Sequence, residues 1–236
     1  SLEFKSILLL VLSFSIVYLL VLITGRFNSF ALPLDHAVII PAAMLAMLIT
    51  VLVGQRSAVL MVFISSLGVL CAANFALPTA LFVLFSGITG IGVMRITGKR
   101  IDLVKSACIL AAVNPLIICI LQIAMPGSFR EASFSLVGSA INGFMSGILV
   151  LGFLPILESA LNTSTSFRLM EFSDLNSPIM KKMLLSVSGT YNHSIMVATL
   201  AESACREIGA DPLLARVGAY YHDIGKMDQS EYFVEN

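Results

Sequence analysis

Charge is what this sequence has least of. Only 12% of its residues are Asp, Glu, Lys or Arg, about half the roughly 25% of an ordinary soluble domain. No basic patch marks a nucleic-acid face, so neither DNA nor RNA is an expected partner. Histidine is scarce, with three in 236 residues. The four cysteines, Cys71, Cys108, Cys119 and Cys205, show no paired spacing such as Cys-x-x-Cys. They read as small apolar residues in a reducing or lipid setting. No strand pattern and no strand-turn-helix glycine fingerprint occurs, and an all-α fold follows.

Apolar residues are abundant, at 58%. A membrane-spanning helix needs about 20 of them in succession. Six runs approach that length: 6–24, 36–53, 57–74, 78–96, 104–125 and 134–157. The stretches 36–55, 57–94, 106–129 and 132–157 contain no charged residue at all, which no amphipathic surface helix tolerates. We therefore expect a polytopic helical membrane domain of about six spans over residues 1–158, a juxtamembrane linker and helix over 159–187, and a soluble helical segment over 188–236. The charges divide accordingly. Residues 1–157 carry eight Lys/Arg against four acids, and 158–236 carry six against ten. The most positive loop, 97–105, holds Lys99, Arg100 and Lys105 and is assigned to the cytoplasm. Lys5 and Arg56 then lie inside, the loops 25–35, 75–77 and 126–133 lie outside, and the segment after Glu158 returns to the cytoplasm.

Within the spans, Asn74, Asn114 before Pro115, and Asn142 are the polar exceptions. Asn114-Pro115 marks an expected kink, and Gly143 with Gly147 permits close helix contact. No ionisable residue lies at mid-membrane depth, which disfavours ion-coupled transport. In the junction, Pro178 suits a helix start, and Lys181 and Lys182 either face anionic lipid or form a solvated face. Beyond it, one helix runs from Ser188 or Thr190 to about Ile208 and stops at Gly209. Asp211 and Pro212 open a second helix toward Tyr221. Met180, Met183, Tyr191, Tyr220 and Tyr221 read as packing residues rather than base-stacking ones.

That second helix delivers the stretch Tyr220-Tyr221-His222-Asp223-Ile224-Gly225-Lys226. An adjacent His-Asp pair is a compact metal-ligand unit, in which imidazole offers a neutral nitrogen and the carboxylate offsets cationic charge. Gly225 is read as allowing a tight turn, and Lys226 as a fixed positive charge beside an anionic substrate. His193, 29 positions before His222, shares a helical stripe with Val197, Leu200 and Ala204. It is expected to point into the core, opposite the His-Asp pair.

Three motifs, in order, resemble one family. They are Glu171 to Pro178 (EFSDLNSP), Gly189 to Ser194 (GTYNHS) and Ala210 to Lys226 (ADPLLARVGAYYHDIGK), closed by Tyr232 to Asn236 (YFVEN). With the preceding hydrophobic spans, they resemble the PgpH-type seven-transmembrane proteins with an intracellular HD phosphohydrolase domain. The resemblance implies a protein of the bacterial cell (inner) membrane, in contact with the lipid bilayer and with its HD segment cytoplasmic. The implied activity is metal-dependent hydrolysis of cyclic di-AMP to the linear dinucleotide, regulated through the membrane part. It also implies that His193, His222 and Asp223 hold a pair of divalent ions, with Asp223 bridging them and Lys226 meeting the phosphate. Mn²⁺ or Fe²⁺ suits such donors, and Zn²⁺ stays open. Asn192 departs from the family, which commonly carries a second His there. A homodimer is compatible with this reading.

Three donors do not complete a two-metal site, and His36 falls on the outer side. The chain opens on Ser1 and closes at Asn236 within the HD segment. We therefore expect a piece cut at both ends, with the first of seven crossings missing, that is inactive and binds metal weakly alone. The competing readings are an HD hydrolase of another nucleotide, such as guanosine tetraphosphate, a receptor with a degenerate HD module, and last a transporter.

Overall fold

The computed structural model describes residues 2–24, 39–73, 76–95, 99–124 and 132–233. Asn74 and His36 lie outside the described residues. All the regular structure among those described is helical, and the chain divides into two compact units, Ser1–Thr163 and Ser164–Asn236.

The first unit holds α1 (Leu2–Thr24), α2 (Ala42–Leu52), α3 (Gln55–Ala72), α4 (Leu77–Arg95), α5 (Asp102–Ala124) and α6 (Ala132–Leu161). Four of them, α3 to α6, are long and apolar enough to cross a membrane. The apolar part of α1, Ile7–Ile23, and the whole of α2 are shorter, so among the described residues four helices qualify as spans by length, and the expected count of about six is not confirmed. The reason is visible at α2. Pro41 stands at its N-cap, where a missing N–H and a restricted preceding residue stop a helix from extending backwards. At the other end Gly54 has φ 127°, a conformation open to glycine and costly for other residues. Eleven residues at about 1.5 Å each reach about 16 Å, half of a bilayer core.

The bundle is held by close approach and by a few buried hydrogen bonds. A Cβ at Gly143 would fall 2.5 Å from the Leu110 carbonyl carbon, and one at Gly147 would fall 2.5 Å from Ala107 Cβ. Only glycine lets α5 and α6 come this near, the packing mode that lipid-embedded helices favour. Next to this seam Asn114 is fully buried and accepts a hydrogen bond from Ser86 Oγ at 3.0 Å. Asn142 Nδ2 donates to the Ile40 carbonyl at 3.1 Å. Pro115 and Pro155 lie inside α5 and α6; the second was not singled out in the sequence.

One end of the unit collects three chain segments. Arg100, just before α5, forms a 2.8 Å ion pair with the buried Glu158 near the end of α6. Lys5 Nζ in α1 donates to the Leu161 carbonyl at 3.0 Å. The beginning of α1, the 99–101 turn and the end of α6 thus share one end, as the alternation read from the charges requires.

The second unit holds α7 (Ser166–Phe172), α8 (Pro178–Ser186), α9 (Ser188–Glu207) and α10 (Pro212–Tyr221), then a 3₁₀ stretch, Ile224–Tyr232, interrupted at Gln229. Local chemistry sets each boundary. The Thr165 side chain accepts from Arg168 N and caps α7. Pro178 opens α8. Asp211 Oδ1 accepts from the Leu213 and Leu214 amides at 3.0 Å, with Pro212 in the first turn of α10. These pairings satisfy amide donors that a helix start leaves orphaned. Gly209, at φ 73°, ends α9. The core is Met180, Met183, Val187, Ala198, Ala219 and Tyr220, with Tyr191 and Tyr221 packed against it. An ion pair between Arg216 and Glu202, at 3.1 Å, joins α10 to α9.

One expectation fails here. The buried stripe of α9 is Thr190, Ser194 and Ala198, whereas His193 and Ala204 are exposed and Leu200 is 72% exposed. α9 packs by small side chains, which allow its neighbours to approach closely. The stripe bearing His193 lies roughly a third of a turn away and does not point into the core.

Candidate metal centre

His193 extends from the first half of α9, and His222 and Asp223 follow directly on the last residue of α10. The ligand-capable atoms of these three residues all lie within 4.8 Å of one another. Their ring and carboxyl groups converge from two helices, with the His193 and His222 ring centroids 5.6 Å apart and the planes tilted by 53°. Among the described residues this is the one group of three or more His, Cys, Asp or Glu side chains gathered closely enough to hold a metal ion.

The hydrogen bonds around His222 determine its chemistry. Its Nδ1 lies 2.8 Å from the Ala219 carbonyl oxygen, an acceptor only, so Nδ1 carries a proton and donates. In the neutral ring Nε2 is then left with a bare lone pair, and Nε2 lies 3.4 Å from Asp223 Oδ2. Two acceptors facing one another at that distance need a proton or a cation between them. The second-neighbour carbonyl that orients a ligating histidine elsewhere in metalloproteins is supplied here by Ala219. Nothing in the sequence pattern singled out Ala219, although its position three residues before His222 is the spacing at which a helix-end side chain reaches back.

Asp223 is ionised at neutral pH. The hydrogen bond from Lys226, 2.9 Å to Oδ2, is the largest influence and holds its carboxyl below the usual range. Partial burial opposes this, and the charges of His222, Lys226 and His193 add to the lowering. The Lys226 ammonium also sits 4.9 Å from the centroid of the Phe233 ring. Phe233 belongs to the closing Tyr232 to Asn236 motif, whose pattern assigns it no role. Tyr220, beside the pair, has its hydroxyl pKa raised by burial.

Gly225 does not perform the function read for it. Its φ lies outside the left-handed region and a Cβ there would meet nothing within 4 Å. The turn after Asp223 is made by the 3₁₀ stretch, in which the Lys226 amide donates to the Asp223 carbonyl at 3.0 Å. Asn192, next to His193, is exposed.

Two imidazoles and an ionised carboxylate form a donor set suited to a divalent transition cation. The facing acceptors at His222 and Asp223 give such an ion a place beside Lys226, which already pairs with Asp223 Oδ2. The residues fit the divalent metal that an HD domain implies.

Comparisons with known proteins agree on both units. Residues 3–165 match the family described as 7TM receptor with intracellular HD hydrolase, and residues 190–236 match the HD domain. The cyclic-di-AMP phosphodiesterase PgpH of Bacillus subtilis is 32% identical over 96% of this chain and 33% of its own length. PgpH of Listeria monocytogenes is 35% identical over 85% of the chain and 28% of its own length. An uncharacterized protein of Synechocystis is 39% identical over 40% of the chain and 12% of its own length. The chain thus spans about a third of the length of the curated PgpH relatives it matches. No solved structure is a significant match. With a membrane-type helical bundle followed by a His, His-Asp cluster in an HD segment, the chain belongs to the family of 7TM receptors with an intracellular HD hydrolase.

Proposed function

We propose that this chain belongs to a membrane-anchored, metal-dependent phosphodiesterase that opens cyclic di-AMP to the linear dinucleotide, with the HD segment in the cytoplasm. The observation that carries the reading is the 3.4 Å approach of His222 Nε2 to Asp223 Oδ2 while Nδ1 is committed to Ala219. His193, His222 and Asp223 are the proposed metal ligands, and Mn²⁺ or Fe²⁺ the proposed ions. The names of the Bacillus and Listeria relatives support the cyclic dinucleotide as substrate. Grouping Lys5, Arg100 and the end of α6 at one end of the bundle supports a cytoplasmic HD segment.

A divalent ion bound at these donors supplies Lewis acidity, polarising a phosphoryl oxygen and lowering the pKa of water. The chain's own residues prepare for that. Ala219 fixes the tautomer and the ring direction of His222. Lys226 keeps the Asp223 carboxylate charged and confined to one orientation. Lys226, beside Asp223, would meet a phosphate oxygen of the bound substrate with its positive charge. The exposed side of His193 leaves the cluster open to a substrate as large as a dinucleotide.

The test is hydrolysis of cyclic di-AMP and of guanosine tetraphosphate by the protein expressed from its complete reading frame in membranes, with Mn²⁺, as wild type and as Asp223→Ala. Cyclic di-AMP turnover that Asp223→Ala abolishes is the expected result. Turnover of guanosine tetraphosphate alone would assign the other substrate, and none on either would leave the receptor reading. The 236-residue chain by itself is expected to be inactive.

A further inference from the structure

The end of α10 is a weak place from which to hang a metal ligand. The helix is ten residues long, and the last turn of any helix lacks partners for its carbonyls. His222 is the first residue past it. Besides the His222–Ala219 bond within the turn, a side chain ties this end to another helix: the Tyr221 hydroxyl donates to the Phe172 carbonyl oxygen at 3.0 Å. That carbonyl belongs to the last residue of α7 and is likewise left over by its own helix. The carbonyls of Leu169, Met170 and Glu171 accept from Ser173 and Asp174 amides, and Phe172 accepts from Tyr221. The two rings meet edge to face, centroids 6.2 Å apart, and Arg168 Cζ lies 5.8 Å from the Phe172 centroid.

Two helix ends are thus joined by one hydroxyl. Tyr221 is covalently next to His222, and about 100° of helical rotation separates neighbouring side chains. Tyr221 reaches toward α7 while His222 reaches toward His193. A shift of α7 therefore turns the peptide that carries the His222 ring. We infer that Tyr221 is a positioning residue for His222, acting through the Phe172 carbonyl. This rests on the metal-site reading above and names a residue that positions one of its ligands.

The chain's three histidines make the test tractable. Selective ¹⁵N-imidazole labelling of the 236-residue chain in detergent micelles gives three ring systems, assigned by His36→Gln and His193→Gln. Mn²⁺ affinity is measured on the same samples without the label. Tyr221→Phe keeps the ring and removes the hydroxyl. Loss of a single hydrogen bond of this kind predicts that Mn²⁺ binding weakens by about 3-fold to 10-fold. It also predicts that the His222 nitrogen signals shift or broaden without added metal, while the melting temperature stays within about 2 °C. Tyr221→Leu, which also loses the edge-to-face contact, is expected to go further in the same direction. Unchanged His222 signals and unchanged Mn²⁺ affinity in Tyr221→Phe would overturn the inference and leave the metal reading intact. His222 signals that move in Tyr221→Phe, together with a wild-type chain that binds no Mn²⁺, would support the positioning link and defeat the metal reading.

Discussion

Replacing Gly143 by alanine adds one methyl group in the seam between α5 and α6, and its cost can be worked from the structure. The new Cβ would fall 2.5 Å from the Leu110 carbonyl carbon and 2.8 Å from the Ala111 amide nitrogen. Both are backbone atoms, so no side chain can rotate away. Ordinary contact between such atoms is about 3.5 Å, and the two helices must separate by roughly 1 Å. A gap of that size forfeits a quarter to a half of the dispersion energy of each atom pair that had been in contact. Overpacking a close interface costs about 1–3 kcal/mol, and the rigid backbone on both sides puts this site near the upper figure. The control is Gly152→Ala in the same helix, where a Cβ meets nothing within 4 Å. Thermal unfolding in one detergent should lower the midpoint for Gly143→Ala by several degrees and leave Gly152→Ala at or slightly above wild type, because alanine is the better helix former. Equal midpoints for the two variants would refute the close α5–α6 seam.

Other consequences concern the second unit. Met183→Ala removes a fully buried side chain from its core and is expected to cost about 2–5 kcal/mol, read as lost hydrogen-exchange protection in α8 and α9. Asp211→Ala removes the cap that serves two amides of α10 and should cost about 1 kcal/mol, restored by Asp211→Asn or Asp211→Ser. The pH dependence follows from Asp223. Its folded-state pKa is depressed, chiefly by the Lys226 hydrogen bond. Its stabilising contribution is therefore present above the unfolded value of about 3.9 and is lost as pH falls through the lower folded value. Lys226→Met should raise the Asp223 titration midpoint followed by carboxyl ¹³C NMR; an unmoved midpoint would show that Lys226 does not hold the carboxylate.

How much of this was legible in the sequence depended on the range of the interaction. Pro178, Gly209 and the Asp211-Pro212 pair act within one helical turn, and each was readable from neighbouring residues. The His222-Asp223 pair and its meeting with His193 were also legible, because a short two-helix hairpin leaves the ends few places to go. The face of His193 was misread. An apolar stripe through Val197 and Leu200 looked like the core side, but packing chose the small residues Thr190, Ser194 and Ala198, a decision made by the helices opposite. Arg100 with Glu158, 58 positions apart, had no local signature. Neither did the Tyr221–Phe172 link, 49 positions apart. The length of α2 was set by Pro41 and Gly54, both visible in the sequence but outweighed in a reading that counted apolar residues. Gly225 was over-read, since a glycine after a motif does not by itself show a backbone that requires one.

The most direct measurement is a Mn²⁺ titration of the 236-residue chain in detergent, followed by electron paramagnetic resonance, for wild type, His193→Ala, His222→Ala and Asp223→Ala. The account predicts one weak site in the wild type, with ¹⁴N couplings from imidazole, that each substitution weakens at least tenfold. Binding that survives all three substitutions would contradict it.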